Sequence, residues 1–471
     1  MSEEKQDDPV PPQNIQGLLQ QLALMQQPDW KQEGKAPEDY KFWNTQPVPK
    51  LHQPNLLQTT DGNELPEGPI LPLKLSQATA KLAPQSLIEG FVWDDVDLDN
   101  QDELKELYTL LFNHYVEDTE GSFRFNYSVE FLNWALKAPG ARKEWHLGVR
   151  TKSSEGRKGK LTAFISGVPA SIKIGDAPIG IVEINFLCIH RKLRSKGLTP
   201  VLIKEITRRC YLAGTYQALY TAGTLLPTPI ATCRYYHRSL DWRHLYKNGF
   251  SALPRNATEQ QMIRRYFLTS TTSIKGLRPM KPADIPQVYD LLARYLTRFR
   301  MRQEFGKEEF THCMCSDASK GVVWSYVVEV NGKITDFFSY YLLESTVLKA
   351  NEKVFIRAAY LYYYASESAF TESSKGKEKA TDESNNTALG ARLNDLIRDA
   401  LILAKKDGFH VFNALSLMDN PLFLQNQKFE AGDGRLHFYL FNYRTAKLPS
   451  GVNEAFVADA TKMGGVGVVM L

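Results

Sequence analysis

The stretch "IVEINFLCIHRKLRSKGLTP", residues 181–200, reads as a strand that runs straight into a basic turn and then a helix. Ile181 to His190 is an apolar run of strand length. Arg191, Lys192, Arg194 and Lys196 come next, followed by Gly197, which lets the backbone approach closely, and Thr199 near the helix start. Such a turn is an anion site, because unpaired backbone N–H groups and the helix dipole both favour negative charge. Four cations alone would also suit a solvated turn. Their place directly after a buried strand points to a phosphate.

The surrounding pattern occurs twice. "LIKEITRRCYLAGTYQALYT" starts at Leu202 and "LIRDALILAKKDGFHVFNAL" at Leu396; in each, Leu-Ile opens a helical pattern that a glycine ends, Gly214 or Gly408, before a β-type run. Glycine tolerates the left-handed conformation that closes helices. "EWHLGVR", a loop and "GKLTAFIS" (144–166) are echoed by "VWSYVVEVNGKITDFFS" (323–339). Amphipathic helices are expected at 102–115 and 283–296, ahead of these hairpins. Both halves thus run helix, strand hairpin, strand, helix, strand. The expected fold is α/β (α+β), a duplicated unit, with chance similarity of two α+β segments as the alternative. The halves differ after the third strand: "IVEINFLCIH" leads into the basic turn, whereas "FIRAAYLYYYAS" (355–366) leads into a polar block.

Residues 1–35 are rich in Gln, Pro and acidic groups and read as a disordered leader, within which "NIQGLLQQLALM" has the pattern of a short docking helix. The expected division is an N-terminal half, 36–270, and a C-terminal half, 271–471, the latter carrying a low-complexity surface insertion at about 372–388. "TKSSEGRKGK" (151–160) reads as a hairpin tip. Hydrophobic residues are 43% and charged residues 23%, and the net charge of +4 is too small to imply a nucleic-acid partner. No window reaches the roughly 18 apolar residues of a membrane span. Five cysteines without a CxxC pair argue for a reducing compartment and against a disulfide frame or a metal site. The end, "MGGVGVVML" (463–471), is uncharged up to its terminal carboxylate, where a frayed polar tail is usual. Alternating Gly and Val suits an extended inner strand; an edge strand that merely ends the chain is the plainer reading.

Arg194, Lys196, Gly197 and Thr199 form an Arg-x-Lys-Gly-x-Thr pattern that resembles the pyrophosphate loop of the general acetyltransferase (GNAT) superfamily, which binds acyl-CoA. "EINFLCIHRK" (183–192) resembles the first signature of the eukaryotic myristoyl-CoA:protein N-myristoyltransferases, the glycylpeptide N-tetradecanoyltransferases. "KFEAGDG" (428–434) resembles the second, with Glu430 where glycine is usual. A non-glycine residue disfavours positive φ, so Glu430 leaves open the backbone conformation of that loop alone. The likeness continues through "YKFWNTQPVPKL", "FRFNYSVEFLNWAL" and "YTAGTLLPTPIATCRYYHRSL" to the terminal Gly-Val-Gly-Val, over roughly 38–471 without the insertion.

The resemblance implies two tandem GNAT-like acyltransferase halves, related by a pseudo-twofold around a continuous mixed sheet. It implies a cytoplasmic monomer that transfers tetradecanoyl from myristoyl-CoA to the N-terminal glycine of proteins beginning Gly-x-x-x-Ser/Thr. No prosthetic group, metal or nucleic acid is implied, and the leader is a candidate for ribosome association. Acyl-CoA contacts carried over are Tyr40, Lys41, Phe42, Trp43, Phe186, Leu187, Arg194, Ser195, Lys196, Gly197, Leu198, Thr199 and Pro200. Peptide contacts are Val116, Asp118, Glu120, Phe123, Arg124, Phe125, Tyr127, Asn185, Thr221, Gly223, Tyr235, His237, Ser339 and Asp433. Thr119 and Gly121 interrupt the family's acidic run at this loop.

Acyl transfer to an ammonium needs a base, donors for the oxyanion, and a dry channel for the chain. The family supplies the donors as the backbone amides of Phe186 and Leu187, freed by a bulge; core packing of the same side chains is compatible with that role. By residue type, His190, His237 and Cys188 compete as base or nucleophile. Histidine beside aromatics is more often structural, a mid-strand thiol is more often inert, and Asp433 suits a basic residue of the peptide. The family's base is the α-carboxylate of Leu471, whose basicity rises on burial. Two further readings are a transferase for another acyl length or a lysine acceptor, and a catalytically silent acyl-CoA-binding or scaffolding protein.

Overall fold

The computed structural model describes residues 36–51, 56–58, 63–118, 120–153, 158–350, 352–370 and 382–471. The leader and its docking helix, and most of the low-complexity insertion, lie outside the described residues, as does the centre of the 151–160 loop.

The N-terminal half contains helices α1 (Gln101–His114), α2 (Val129–Leu136) and α3 (Leu198–Leu212). Its strands are β1 (Phe91–Asp95), β2 (Phe123–Asn126), β3 (His146–Thr151), β4 (Leu161–Ile174), β5 (Ala177–Ile189), β6 (Gln217–Ala222) and β7 (Ala231–Ser239). The C-terminal half contains α4 (Ile285–Leu296), α5 (Lys307–Met314) and α6 (Asp382–Lys406). Its strands are β8 (Leu277–Pro279), β9 (Met301–Gln303), β10 (Val323–Val330), β11 (Lys333–Val347), β12 (Phe355–Ser366), β13 (Val411–Leu415), β14 (Glu430–Phe441) and β15 (Val466–Gly467).

Local chemistry accounts for many boundaries. Asn100 caps α1 by accepting from the Asp102 amide at 3.0 Å. Asn331 and Gly332, both at positive φ, close the β10–β11 hairpin. Gly214 and Gly408, at φ +82° and +77°, close α3 and α6 as expected. One boundary differs: α6 begins at Asp382 and not at Leu396, so the end of the polar block is already helical. Hydrophobic periodicity marks where a helix buries a face, and the polar residues before Leu396 carry no such mark.

The fifteen strands form one mixed sheet among the described residues: twelve follow the order β15-β9-β4-β5-β6-β14-β7-β13-β12-β11-β10-β8, while β3 pairs with β4 and β1, and β2 with β11. Its centre is palindromic. β5 and β6 are parallel neighbours in one half, and β12 and β13 in the other. Between them the halves exchange strands: β14 pairs with β6, and β7 with β13. A second exchange lies further out, where β2 pairs with β11 and β9 with β4. A pseudo-twofold therefore passes between β14 and β7, and five strand pairings of the sheet join the two sides of the sequence boundary at 270. The largest core cluster likewise joins both halves, from Leu104 and Leu107 of α1 to Leu393 and Ile397 of α6.

Candidate active site

The strand–turn–helix that opens the sequence forms as expected. β5 ends at Ile189, and Gly197 caps α3 in the left-handed conformation at φ +75°. Ser195 is also at positive φ, 63°. Alternation of this kind turns successive amides toward one side and makes an anion-binding concavity. Lys192, Ser195, Lys196 and Thr199 are exposed there and Pro200 is half-buried, while Leu198 is buried in the core beneath the turn. Arg194 turns back to donate to the carbonyls of Ile189, at 3.3 Å, and His114. Arg191 pairs with Glu117, which also holds Arg124 at 2.6 Å. Against the cost of burial, these two arginines keep the Glu117 carboxyl below its ordinary range. Glu117, absent from the expected site residues, is thus the link between the basic turn and the 116–125 loop.

The expected bulge is present. β4 and β5 pair Phe164 with Cys188 and Ser166 with Asn185, so β5 holds one extra residue. Phe186 sits at φ 56°, an uncommon conformation for a large side chain that clusters at functional sites. The β5–β6 ladder stops at Ile184, so the strands splay beyond that point. Burial pushes the Tyr115 phenol up, Cys188 adds to this, and a backbone hydrogen bond from Phe186 opposes it. The Phe186 ring is 2% exposed and lies edge-on to Tyr127 at 5.1 Å, so side-chain packing and backbone role coexist. Leu187 packs at the edge of the N-terminal cluster.

The tail is buried, with Val466, Val468, Val469 and Met470 at 1–7% exposure. It is not an inner strand. Only Val466 and Gly467 pair, in parallel, with Met301 and Arg302 of β9, which places β15 at the sheet edge. Glycine is needed there by close approach: a Cβ on Gly467 would stand 2.7 Å from the Phe299 ring, and one on Gly465 1.9 Å from the Pro449 carbonyl. The Val469 amide donates to the Tyr363 hydroxyl at 3.0 Å. Leu471 borders a cavity of about 50 Å³ with Glu183, Gln303, Glu309, Tyr363 and Val469. A second cavity, about 20 Å³, lies among Tyr235, Tyr341, Tyr360, Asn413, Val469 and Met470. Val469 borders both, so the end of the chain is the wall between them.

Glu183 accepts from the Asn185 side-chain amide at 2.7 Å. Burial, opposed by Asn185 and reinforced by Glu309, raises its carboxyl to about 7. Burial likewise raises Glu309. The competing bases fare differently. Burial pushes the Cys188 thiol up to about 12, which keeps it protonated and inert. His190 caps a short turn and stacks on His114 at 4.1 Å. His237 shares a 2.7 Å hydrogen bond with Asn413, and burial lowers its pKa.

Among the remaining expected contacts, Tyr40 donates to the Leu225 carbonyl at 2.9 Å, and Trp43 stacks on Tyr220 at 5.6 Å. Lys41 is exposed and Phe42 half-buried. Asp118 accepts from the amides of Ser122 and Phe123 and so closes its own loop, where Val116 and Glu120 are exposed. Phe123 packs on Phe250 at 5.6 Å, and Phe125 on Tyr127 at 6.0 Å. Thr221 pairs with Phe438, and a Cβ on Gly223 just beyond it would stand 3.9 Å from the Arg435 carbonyl oxygen. Residues 432–434, Gly-Asp-Gly, stand out of the β14–β7 ladder; Gly432 lies against His237, and Asp433 is exposed.

Ser339 is fully buried, and its hydroxyl is spent on the Tyr363 backbone, donating to the carbonyl at 2.8 Å and accepting from the amide at 3.1 Å. The half-buried serine of β11 that reaches the loop is Ser345, opposite Phe125. Glu430 adopts ordinary strand geometry, paired with His237 and 3.3 Å from Arg265; the positive φ in this region is at Lys428. No described group of His, Cys, Asp or Glu side chains is placed to hold a metal ion, and no described helix is long and apolar enough to cross a membrane.

A bulged strand with turned amides, a basic helix-capping turn beside it, and a buried chain end at a carboxyl-lined cavity define an acyltransferase. Comparison with known proteins narrows the class. Residues 72–233 match the N-terminal domain of myristoyl-CoA:protein N-myristoyltransferase, and residues 247–469 its C-terminal domain. The chain belongs to this family. A glycylpeptide N-tetradecanoyltransferase of Aspergillus fumigatus is 52% identical, over 100% of this chain and 90% of its own. That of Saccharomyces cerevisiae is 45% identical over 97% and 98%. A crystal structure of the Saccharomyces cerevisiae N-myristoyltransferase with bound myristoyl-CoA matches with a TM-score of 0.84 and 46% identity, covering 93% of this chain and 100% of that one.

Proposed function

We propose that this chain transfers a tetradecanoyl group from myristoyl-CoA to the N-terminal glycine of proteins beginning Gly-x-x-x-Ser/Thr, as a cytoplasmic monomer. The observation that carries the mechanism is the position of the half-buried Leu471 at the cavity shared with Glu183 and Tyr363. The glycine ammonium gives its proton to the Leu471 α-carboxylate, and the freed amine attacks the thioester carbon. The new C–N bond forms while the carbonyl oxygen takes negative charge, which the amides of Phe186 and Leu187 stabilise. The intermediate collapses, the C–S bond breaks, and the thiolate of CoA leaves and takes up the proton that the nitrogen sheds as it becomes the amide.

An α-carboxyl in water has a pKa of about 3.3–3.7 and is a poor base. Burial in apolar surroundings makes it more basic, and Val468, Val469 and Met470 supply them. The basic turn and Lys41 bind phosphates, and the Tyr115, Tyr127 and Phe186 cluster supports the dry acyl channel. The peptide enters along His237, Tyr235 and the 116–125 loop, where Asp433 and Glu120 attract a basic side chain.

The test is CoA release from myristoyl- and palmitoyl-CoA with a Gly-Ser-type peptide. Faster release from myristoyl-CoA, with the acyl group on the peptide, supports the reading. No transfer to the peptide overturns it in favour of a silent acyl-CoA-binding protein.

A further inference from the structure

The two halves repeat one device and use it differently. "TAFIS" (162–166) in β4 and "TDFFS" (335–339) in β11 place Ser166 and Ser339 at matching sequence positions beside a bulge in the next strand, Ser166 still paired with Asn185 and Ser339 lying within the bulge. Both serines are fully buried. In the C-terminal half, Ser339 takes both the amide and the carbonyl of Tyr363, so that amide is closed off. In the N-terminal half, Ser166 takes a carbonyl only: its hydroxyl donates to the Asn185 oxygen at 2.9 Å.

That single bond has a directional consequence. The Asn185 carbonyl and the Phe186 N–H belong to one planar trans peptide, in which they point in opposite directions. Holding the carbonyl toward β4 aims the Phe186 N–H away from it. The positive φ of Phe186 then departs from ordinary strand geometry, as turning the next amide toward the same side requires.

We propose that Ser166 is a positioning residue for the oxyanion site, anchoring the Asn185–Phe186 peptide plane so that the Phe186 amide faces the thioester, while Ser339 closes off the Tyr363 amide at the bulge of the other half. The inference rests on the amides of Phe186 and Leu187 acting as oxyanion donors.

Ser166→Ala and Ser339→Ala are compared with the full-length wild type for kcat, both KM values and melting temperature. Loss of one oxyanion donor costs about 10²–10³ in kcat, and a donor left in place but misaimed costs less, about tenfold or more. The expected result is a kcat for Ser166→Ala at least about tenfold down with KM for acyl-CoA within about twofold, whereas Ser339→Ala melts lower with its kcat kept. A Ser166→Ala kcat within about twofold of wild type overturns the proposal, as does an equal loss in Ser339→Ala. If Ser166→Ala does not fold, Ser166→Cys, close in shape but a weak donor, is read by the same criteria. Absence of transfer by the wild type would instead refute the proposed reaction.

Discussion

The hydroxyl of Tyr363 on β12 accepts a hydrogen bond from the backbone amide of Val469, two residues before the chain ends, at 3.0 Å. Tyr363 is 1% exposed, and both partners border the cavity at Leu471. A buried amide left unpaired costs about 1–3 kcal/mol, so Tyr363→Phe is expected to lower stability by that amount. It is also expected to loosen the tail, reducing kcat more than KM for acyl-CoA. Thermal unfolding and steady-state kinetics on one preparation check both.

A residue added after Leu471 moves the terminal charge away from the cavity. General-base catalysis contributes about 10²–10⁴-fold, so a single added alanine is expected to reduce kcat by at least about 10²-fold, with acyl-CoA binding retained. Equal turnover by extended and unextended protein would remove the α-carboxylate from the mechanism.

Glu183 makes stability depend on pH in a defined sense. Its carboxyl rises from 4.5 to about 7 in the fold, because burial and then Glu309 outweigh the bond from Asn185. Between these values the folded state holds a proton that the unfolded chain has released, so this contribution to stability is greatest below about 4.5 and is lost as pH rises through about 7. Glu183→Gln removes the dependence and is expected to gain up to about 3 kcal/mol relative to wild type at pH 8. Urea unfolding of both proteins at pH 5 and 8 decides it; parallel changes with pH refute the assignment.

Gly432 lies against His237, and a Cβ there would stand 2.3 Å from the ring Nε2. Gly432→Ala is expected to displace the imidazole from Asn413 and to raise the peptide KM about tenfold, or about 1.4 kcal/mol. KM for acyl-CoA should not change, since the basic turn lies on another strand. A parallel rise in both KM values would place His237 outside the peptide site.

Much was legible locally. The duplicated order of elements, the strand–turn–helix at 181–200 and the glycine helix ends at 214 and 408 follow from periodicity and turn chemistry, which act over a few residues. The burial of the tail was legible in its composition. The partner of the Ser339 hydroxyl was not legible, because it is not written in its neighbours: Tyr363 is remote in sequence. Nor was it legible that the positive φ of the second signature falls at Lys428, two residues before Glu430.

The sequence by itself determined the paired α/β units, the anion-binding turn and an apolar chain end, because each depends on residue spacing along one segment. Only the tertiary structure decided that the halves exchange β7 and β14, that Val469 hangs from Tyr363, and that Ser166 and Ser339 hold equivalent bulges differently. These relationships join residues far apart in the chain. They are selected by the requirement that every buried amide and carbonyl find a partner once the sheet has closed, a condition that no single segment can express.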